Sequence, residues 1–279
     1  MTLHDPLGYE GKKIIVTGGG GQGMGAATVE ALVHAGAEVH VLDFKEPPVV
    51  VASHRSVDLK DPTAMYEAVN AIGPGVDALF NCVGVPGTRT SNLDTFLINF
   101  AGVRHLTESV VENMNDGGAI ATIASVAGRG WEQNAALYNE LLETPDFDSA
   151  AAWFVEHPEI VPTSGFTATA GYRVSKEAVT AWAVLRGPSL GARQIRHNAL
   201  MPGFTETPMS TDFRETFGDR LAETHPTPLG SFLRPDEPAK ALLFLNSPLA
   251  SGITGSTLMV DGGSSAALRA AELLSSKAS

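Results

Sequence analysis

The chain of 279 residues contains a single cysteine, Cys82, and therefore cannot form an internal disulfide. Its Cys and His residues lack the paired spacing that a zinc site requires, so we expect no bound metal. No stretch approaches the roughly 18 uncharged apolar residues that span a bilayer, and the first residues lack the apolar segment of a secretion signal. These absences predict a soluble cytoplasmic protein with no membrane partner.

Positive charge is also scarce, because 19 Lys and Arg residues face 31 Asp and Glu residues, which gives a formal net charge of −12. The basic residues are scattered and form no stripe of the kind that binds a phosphate polymer. We therefore expect no nucleic-acid partner. With 43% apolar residues and no Pro/Gly/Ser-rich or highly charged linker, residues 1–279 are predicted to form a single domain.

Apolar runs and helical segments alternate along the sequence. Six runs rich in β-branched residues predict strands at 14–17, 39–42, 76–82, 119–124, 195–200 and 257–260. Segments of helical period lie between most of them, at 23–35, 62–72, 95–114, 169–185 and 235–245. This alternation predicts an α/β fold with a parallel sheet covered by helices on both faces.

Glycine is concentrated in GGGGQGMG, where it occupies six of the eight positions from Gly18 to Gly25. A flexible linker does not fit, since an apolar run precedes this segment and a helical stretch follows it. A P-loop does not fit either, because Met24 and Gly25 follow Gly23 where that motif needs Lys and Ser/Thr. The order strand, glycine turn, helix predicts a dinucleotide site, with the pyrophosphate close to the backbone at the helix N-terminus.

A carboxylate at the end of the second predicted strand indicates which dinucleotide is bound. Asp43 lies 18 positions beyond Gly25, near where an acidic side chain meets the ribose hydroxyls of NAD. The same carboxylate would repel the 2′-phosphate of NADP, and the glycine loop offers Gln22 but no Arg or Lys to neutralise it. Lys45 is the only nearby cation in the sequence. The pattern favours NAD over NADP.

Tyr172 and Lys176 are four residues apart, so both side chains emerge on one face of the helix predicted at 169–185. A lysine ammonium beside a tyrosine favours the phenolate, and we expect it to lower the pKa of Tyr172 toward the range of a general base. Tyr9 and Lys13 have the same spacing but precede the first strand and have no helix. The first pair is therefore the candidate for proton transfer.

Six motifs in this order make the sequence resemble the short-chain dehydrogenase/reductase family. They are NCVG at 81–84, NFAG at 99–102, IASVAG at 123–128, YRVSK at 172–176, NALMPGFTETP at 198–208 and ITGSTLMVDGG at 253–263. The resemblance covers about residues 11–263, and it implies a Rossmann-type doubly wound parallel sheet of about seven strands with helices on both faces. Within the family, the chain is most similar to the branch of 3α-hydroxysteroid dehydrogenase/carbonyl reductases and coniferyl alcohol dehydrogenase-like enzymes.

The resemblance implies an NAD-dependent dehydrogenase with four catalytic residues. Tyr172 would exchange the proton of the alcohol, and Ser125 would hydrogen-bond the substrate oxygen. Lys176 would bind the nicotinamide ribose and adjust Tyr172, and Asn99 would hold a water that connects Lys176 to solvent. The implied cofactor contacts are Gly18, Gly19, Gln22, Gly23, Met24, Gly25, Asp43, Asp58, Leu59, Asn81, Gly84, Tyr172, Lys176, Pro202, Gly203, Thr205 and Thr207.

Two motifs depart from the family pattern. The family turn is written T-G-x-x-x-G-x-G, whereas one extra residue separates Thr17-Gly18 from Gly23, so either Gly18 or Gly19 could take the first glycine position. NCVG also replaces the common N-N-A-G, which puts in doubt the bonding of the missing second asparagine.

The largest departure is an insertion at residues 131–165, between Ser125 and Tyr172. It is predicted to form two helices, 134–143 and 145–157, the second capped by Thr144 with Pro145 at its first position. An apolar stripe on the second helix is expected at Phe147, Ala151, Phe154 and Val155. The insertion could cover the substrate or a subunit contact, or its aromatic residues could simply pack the helices onto the domain.

Residues 204–235 contain many apolar side chains and are expected to form a lid over the substrate, which favours a hydrophobic cyclic or aromatic secondary alcohol or ketone. The family resemblance also implies a homodimer or homotetramer. Two alternatives stay open: a catalytically silent dinucleotide sensor on the same fold, and an NADP-linked carbonyl reductase.

Overall fold

Seven parallel strands form one sheet in the order β3-β2-β1-β4-β5-β6-β7. The computed structural model describes residues 5–161, 169–218, 226, 228–230 and 232–275. The strands are β1 (Lys13–Thr17), β2 (Glu38–Leu42), β3 (Ser53–Arg55), β4 (Val76–Asn81), β5 (Met114–Ile123), β6 (Arg196–Pro202) and β7 (Thr257–Val260). The predicted doubly wound parallel sheet of about seven strands is confirmed.

Helices cover both faces of this sheet. They are α1 (Met24–His34), α2 (Pro62–Ile72), α3 (Asn92–Phe96), α4 (Val103–Asn113), α5 (Ala135–Glu143), α6 (Phe147–Glu156), α7 (Ala170–Arg186), α8 (Pro208–Phe217), α9 (Asp236–Asn246) and α10 (Ser264–Ser275). Because side chains alternate along a strand, Ile14 and Val16 pack into one buried cluster with residues of α1 and α9. Ile15 packs into the other, with residues of α2, α4 and α7.

The edge strand β3 was not predicted from the sequence. It has three residues, Ser53, His54 and Arg55, and contains no apolar run. Its backbone pairs with β2, and its residues are only partly buried or exposed. A short polar strand of this kind carries no hydrophobic signal, because its place is fixed by backbone hydrogen bonds to a neighbour.

The single helix predicted at 95–114 is wrong in detail, because three segments replace it. Ser91 caps α3 by accepting a hydrogen bond from the Asp94 amide at 3.0 Å, so the first helix begins at Asn92. A π-helical turn, Leu97–Gly102, follows and leads into α4. Met114 does not end the helix but begins β5.

The insertion forms two helices as predicted, but the second one begins later than expected. Asp146, not Thr144, is its cap: the carboxylate accepts a hydrogen bond from the Ser149 amide at 2.8 Å, and the helix starts at Phe147. Thr144 has another role, since its hydroxyl accepts a hydrogen bond from Arg104 at 3.0 Å. Residues 162–165 of the predicted insertion lie outside the described residues.

The buried face of α6 also differs from the prediction. Phe147 and Phe154 are buried as predicted, but Val155 is 63% exposed and Ala151 is only partly buried. Ala150 and Trp153 complete the buried face in their place. The ring of Phe154 stacks on Phe96 of α3 with centroids 4.5 Å apart, so α6 is held against the central domain by aromatic contacts.

The helix α10 after β7 was not predicted, although its sequence from 264 to 275 is rich in Ala and Leu.

Among the helices of the described ranges, none has the length and apolar character needed to cross a membrane. In the same ranges, no three His, Cys, Asp or Glu side chains are grouped so that they could hold a metal ion.

Candidate active site

A cavity of about 530 Å³ opens where the carboxyl ends of the central strands meet. Parallel sheets bind ligands at this edge, near the point where the strand order reverses between β1 and β4. The cavity is lined by predicted site residues from separate segments of the chain, among them Gly84, Ser125, Tyr172, Lys176, Thr205 and Thr207. The fold therefore brings residues more than 100 positions apart into one site.

The glycine loop contains three positions where a Cβ would meet backbone atoms at 2.5 Å or less, Gly18, Gly20 and Gly25. Gly18 has φ +68°, and a Cβ added to it would lie 2.5 Å from the backbone of Val83. A Cβ on Gly25 would lie 2.0 Å from the carbonyl oxygen of Gly18. At Gly19 the nearest obstacle is a side-chain methyl of Val29, at 2.7 Å. The backbone requirement therefore assigns the first turn position to Gly18.

Gly23 differs from these positions, because a Cβ there would meet nothing within 4 Å. It is the N-cap of α1, and no side chain caps that helix end. The first-turn amides are thus left for a ligand, and the open space in front of them suits a pyrophosphate. Met24, the first helical residue, lines the cavity, whereas Gln22 is exposed. This end of the site fits the dinucleotide that the sequence predicts.

Asp43 lies directly after β2 and faces the glycine loop. Its carboxylate accepts hydrogen bonds from the amides of Gly20 at 2.8 Å and Lys45 at 2.9 Å. The acid is therefore fixed beside the loop, where the adenosine ribose of a bound dinucleotide would lie. Lys45 is exposed, and its side chain runs along Gly21.

Three predicted cofactor residues lie outside the cavity lining, as do the residues of the loop and of the end of β2, which are Gly18, Gly19, Gln22, Gly23, Gly25 and Asp43. Asp58 is exposed and accepts a hydrogen bond from the amide of Lys60 at 2.9 Å, while Leu59 is 6% exposed and belongs to the core. Asn81 is 1% exposed, and its amide nitrogen donates to the hydroxyls of Thr107 and Thr122 at 2.8 and 3.2 Å. These three side chains do not line the cavity, and that of Asn81 ties the sheet to α4.

Asn99 lies in the π-helical turn and connects two parts of the site. Its amide nitrogen donates to the carbonyl of Val85 at 2.9 Å and to the hydroxyl of Ser175 at 3.2 Å. Its carbonyl oxygen accepts a hydrogen bond from the Val85 amide at 2.8 Å. A Cβ on Gly84 would lie 3.4 Å from that oxygen and 3.6 Å from Nζ of Lys176. Asn99 thus braces the loop after β4 against the helix that carries Lys176.

Tyr172, Ser125 and Lys176 meet inside the cavity. Burial raises the pKa of Tyr172, and a hydrogen bond with Ser125 acts in the opposite direction. The expected lowering by Lys176 is therefore wrong for this arrangement, in which burial has the largest effect. Nζ of Lys176 lies 5.7 Å from the centre of the Tyr172 ring and donates to the carbonyl of Ile123 at 2.8 Å. Burial lowers the pKa of Lys176 to about 8.

The segment after β6 closes the other side of the cavity. A Cβ on Gly203 would lie 2.7 Å from Cβ of Asp261, so the Pro202-Gly203 turn passes tightly against the end of β7. The hydroxyl of Thr205 donates to the carbonyl of Gly203 at 3.1 Å. Thr207 caps α8 by accepting a hydrogen bond from the Ser210 amide at 3.3 Å. All four predicted residues of this segment line the cavity.

The predicted lid, residues 204–235, contains the helix α8 that sequence analysis did not identify. Met209, Phe213 and Phe217 of this helix line the cavity, and the Phe213 ring meets the Tyr172 ring edge-on at 5.4 Å. Residues 219–225, 227 and 231 of the lid lie outside the described residues, among them Leu221. The described part therefore places an apolar wall beside the candidate general base.

Two charged residues of the cavity lining were missed from the sequence, Arg129 and Arg173. Arg173 directly follows Tyr172, and Arg129 follows the turn that Ser125 caps. Their proximity in sequence to the catalytic motifs is the one signal that could have identified them. A single arginine in a turn or on an exposed helix face has no motif of its own.

Comparisons with known proteins agree with this arrangement. A family model described as short chain dehydrogenase matches residues 12–139, and one described as enoyl-(acyl carrier protein) reductase matches residues 159–265. Coniferyl-alcohol dehydrogenase of Pseudomonas sp. strain HR199 is 29% identical, over 90% of this chain and 96% of its own length. The 3-alpha-hydroxysteroid dehydrogenase/carbonyl reductase of Comamonas testosteroni is 30% identical, over 92% and 98%.

A solved structure has the same fold. The crystal structure of 3-alpha-hydroxysteroid dehydrogenase from Pseudomonas sp. B-0831, complexed with NADH, is similar with a TM-score of 0.76. It is 29% identical in sequence, and the similarity covers 93% of this chain and 99% of that one. The similarity therefore extends over most of both chains.

Proposed function

The chain belongs to the short-chain dehydrogenase/reductase family, and from that premise we propose that it interconverts a secondary alcohol and its carbonyl compound with NAD(H). Family membership makes it an oxidoreductase that acts on alcohols with a nicotinamide dinucleotide. The choice of NAD, the roles of individual residues and the substrate are the proposal. Its main support is that Tyr172, Ser125 and Lys176 meet in one cavity.

The proposed proton transfer takes place at the phenolic oxygen of Tyr172. In reduction, the neutral Tyr172 donates its phenolic proton to the carbonyl oxygen, and in oxidation the phenolate form of Tyr172 accepts the proton of the substrate hydroxyl. The Ser125 hydroxyl hydrogen-bonds the same substrate oxygen and stabilises the charge that develops there. Bound NAD supplies the hydride acceptor. Lys176, whose pKa burial lowers to about 8, can release and regain a proton near neutral pH.

The preference for NAD is supported by Asp43. Two backbone amides fix its carboxylate beside the glycine loop, where it can accept hydrogen bonds from ribose hydroxyls. A 2′-phosphate at that place would meet a negative charge, with Lys45 as the neighbouring cation. The related 3-alpha-hydroxysteroid dehydrogenase was solved with NADH, which supports the same choice. An NADP-linked reductase remains the alternative, and the two dissociation constants distinguish them.

The substrate class is inferred from the cavity wall. Met209, Phe213 and Phe217 provide an apolar surface beside Tyr172, which suits the ring system of a cyclic or aryl secondary alcohol. The names of the relatives, which refer to a hydroxysteroid and to coniferyl alcohol, support the same class. We further propose that the protein is cytoplasmic and forms a homodimer or homotetramer. Light scattering on the purified protein tests the oligomeric state.

Replacing Tyr172 by Phe tests the mechanism. We expect turnover of cyclic and aryl alcohols, followed as NADH absorbance, to fall by at least ~10²-fold because the general acid/base is removed. NAD affinity should stay nearly unchanged, since the ring is retained. Tyr66→Phe is the matched control, because Tyr66 is exposed on α2 and is expected to leave turnover unchanged.

Two outcomes would contradict the proposal in different ways. Comparable turnover in Tyr172→Phe would overturn the role of Tyr172. A wild-type protein that binds NAD but oxidises no alcohol of a steroid, terpenoid and aryl panel would instead support the silent sensor.

A further inference from the structure

The charges around the cavity all have one sign. Among the described residues that line it, three are basic, Arg129, Arg173 and Lys176, and none is acidic. This is unusual for a chain with a net charge of −12. The proposed reaction uses Lys176 and leaves the two arginines without a role.

A buried carboxylate holds Arg173 in place. Nε of Arg173 donates to Glu177 at 2.7 Å, one helical turn further along α7. The Glu177 side chain is 3% exposed, whereas that of Arg173 is 52% exposed. The other oxygen of Glu177 accepts a hydrogen bond from the Tyr138 hydroxyl at 2.6 Å. Tyr138 belongs to α5 of the insertion and is completely buried. The insertion therefore holds the carboxylate of Glu177, and Glu177 holds the guanidinium group of Arg173.

Arg129 is fixed from two sides at another part of the cavity wall. Its Nε donates to the carbonyl of Val126 at 3.0 Å, and its Nη1 donates to the hydroxyl of Ser265 on α10 at 2.9 Å. Asp261 is close enough to interact with it electrostatically. These contacts position the guanidinium group, and they use only part of its five N–H donors.

We infer that Arg129 and Arg173 form a subsite for a carboxylate group of the substrate, so that the physiological substrate is an amphipathic hydroxy acid or keto acid. Its hydroxyl or carbonyl carbon lies at Tyr172, its apolar body lies against Phe213, and its carboxylate is bound by guanidinium groups of the cavity wall. Guanidinium is suited to this partner, because its planar donors match the two oxygens of a carboxylate. The inference rests on the proposed function.

The same geometry makes Glu177 and Tyr138 positioning residues. A surface arginine has many conformations, and holding it in one of them reduces the entropy that substrate binding must remove. Glu177 can do this because it is itself buried and held by Tyr138. In this way Tyr138 of the insertion supports binding of the substrate carboxylate without contacting the substrate itself, through Glu177 and Arg173.

A matched pair of probes tests the subsite: 4-(1-hydroxyethyl)benzoate and its methyl ester, each oxidised with NAD. We expect wild-type kcat/KM to favour the acid by about 10-fold or more, the range expected for hydrogen bonds to a charged group. The ratio of acid to ester should fall by about 10-fold in Arg173→Gln and in Arg129→Gln. Arg186→Gln is the control, since it removes the same charge from α7, where Arg186 pairs with Glu143, and it should leave the ratio unchanged.

Tyr138→Phe tests the positioning role, because it removes only the hydroxyl that holds Glu177. We expect the acid-to-ester ratio to fall by about 3-fold, the effect of one lost hydrogen bond. A merely structural defect would lower kcat/KM for both probes alike and leave the ratio unchanged, and that result would overturn the positioning role.

Two further results would overturn the subsite. One is an acid-to-ester ratio that is the same in both arginine variants as in the wild type. The other is a loss of NAD affinity in these variants with an unchanged ratio, which would assign the arginines to the cofactor phosphates.

A binding measurement separates the subsite from the proposed function. If neither probe is oxidised, calorimetry with NAD present compares 4-ethylbenzoate with 4-ethylbenzamide. Tighter binding of the benzoate that Arg173→Gln abolishes would support the subsite and contradict only the proposed reaction. Equal binding of the two compounds would overturn the subsite itself.

Discussion

The glycine loop and the insertion are held in place by different kinds of contact. In the loop, a Cβ on Gly18 or Gly25 would lie within 2.5 Å of backbone atoms, which cannot rotate away as the end of a side chain can. In the insertion, α6 is held by aromatic side chains such as Phe154, stacked on Phe96 with centroids 4.5 Å apart. The loop therefore tolerates no added atom at those positions, whereas the insertion can lose atoms at a graded cost.

This difference explains why the loop was predictable from a short motif, whereas in the insertion the two helices were predicted but the cap and the buried face of α6 were not. Close approach of the backbone restricts positions such as 18 and 25 to glycine, so the motif GGGGQGMG by itself indicates the turn. Aromatic packing restricts only size and polarity, and many sequences satisfy it.

Gly25→Ala should have the largest effect, because the new Cβ would lie 2.0 Å from the carbonyl oxygen of Gly18. We expect the variant to lose more than ~4 kcal/mol of unfolding free energy or to be recovered unfolded. Circular dichroism and a urea titration measure this.

Gly23→Ala is the matched control two residues earlier. The added Cβ meets no atom within 4 Å, so the fold should remain intact, but the methyl group would enter the space in front of α1. We expect NAD affinity to fall by about 10-fold or more. A Gly25→Ala variant as stable as Gly23→Ala would contradict the backbone argument.

Phe154→Ala should have a smaller effect, in the insertion. Phe154 is 6% exposed and stacks on Phe96, so its removal leaves a cavity and should cost about 3–5 kcal/mol of unfolding free energy. Val155→Ala is the control on the same helix, since Val155 is 63% exposed and should change stability by less than about 0.5 kcal/mol.

The outcome also tests whether the insertion is separate from the cofactor site. NAD affinity of folded Phe154→Ala should equal that of the wild type. A weakened affinity at unchanged protein concentration and temperature would show that α6 supports the glycine loop, and the contrast between the two regions would fail.

Asp43→Ala should have the smallest effect on the fold and a specific effect on cofactor choice. Removing the carboxylate should weaken NAD more than NADP and shift the ratio of the two dissociation constants by about 10-fold, the effect of one charged hydrogen bond. Asp116→Ala is the control, because Asp116 is exposed on β5 and pairs with Arg193. An unchanged ratio in Asp43→Ala would count against the role of Asp43.

The central sheet could be predicted because its buried strands are continuous apolar runs. Ile14, Ile15 and Val16 are all fully buried, so every residue of that run must be hydrophobic. The edge strand β3 has no such requirement, and nothing in Ser53, His54 and Arg55 distinguishes it from a loop. Burial on both faces is thus what makes a strand visible in a sequence.

Helix starts were less predictable, because several residues compete for the cap. Thr144 followed by Pro145 is a favourable start, yet Asp146 two residues later takes the role. Thr144 is occupied by Arg104 of α4, a contact between segments 40 positions apart. Such tertiary contacts decide between local alternatives, and the sequence does not contain them in readable form.

The candidate site was predictable where chemistry fixes both residue type and spacing. Tyr172 and Lys176 meet this condition, and both line the cavity. The direction of the pKa of Tyr172 was not predictable, because it depends on burial by segments far away in sequence. The place of Arg173 was not predictable either. It depends on Glu177, which is in turn held by the Tyr138 hydroxyl of the insertion, far away in the sequence.

The π-helical turn at Leu97–Gly102 has a consequence for how a helix can serve two neighbours. A regular helix advances 100° per residue, so the one extra residue of a π turn rotates everything after it by about that angle. Phe96 before the turn can therefore face the insertion, while Thr107 after it faces Asn81 in the sheet. Deleting one residue of the turn would restore regular α-helical geometry and rotate the segments before and after it by about 100° relative to each other. Either the contact of Phe96 with the insertion or that of Thr107 with Asn81 would then be out of reach.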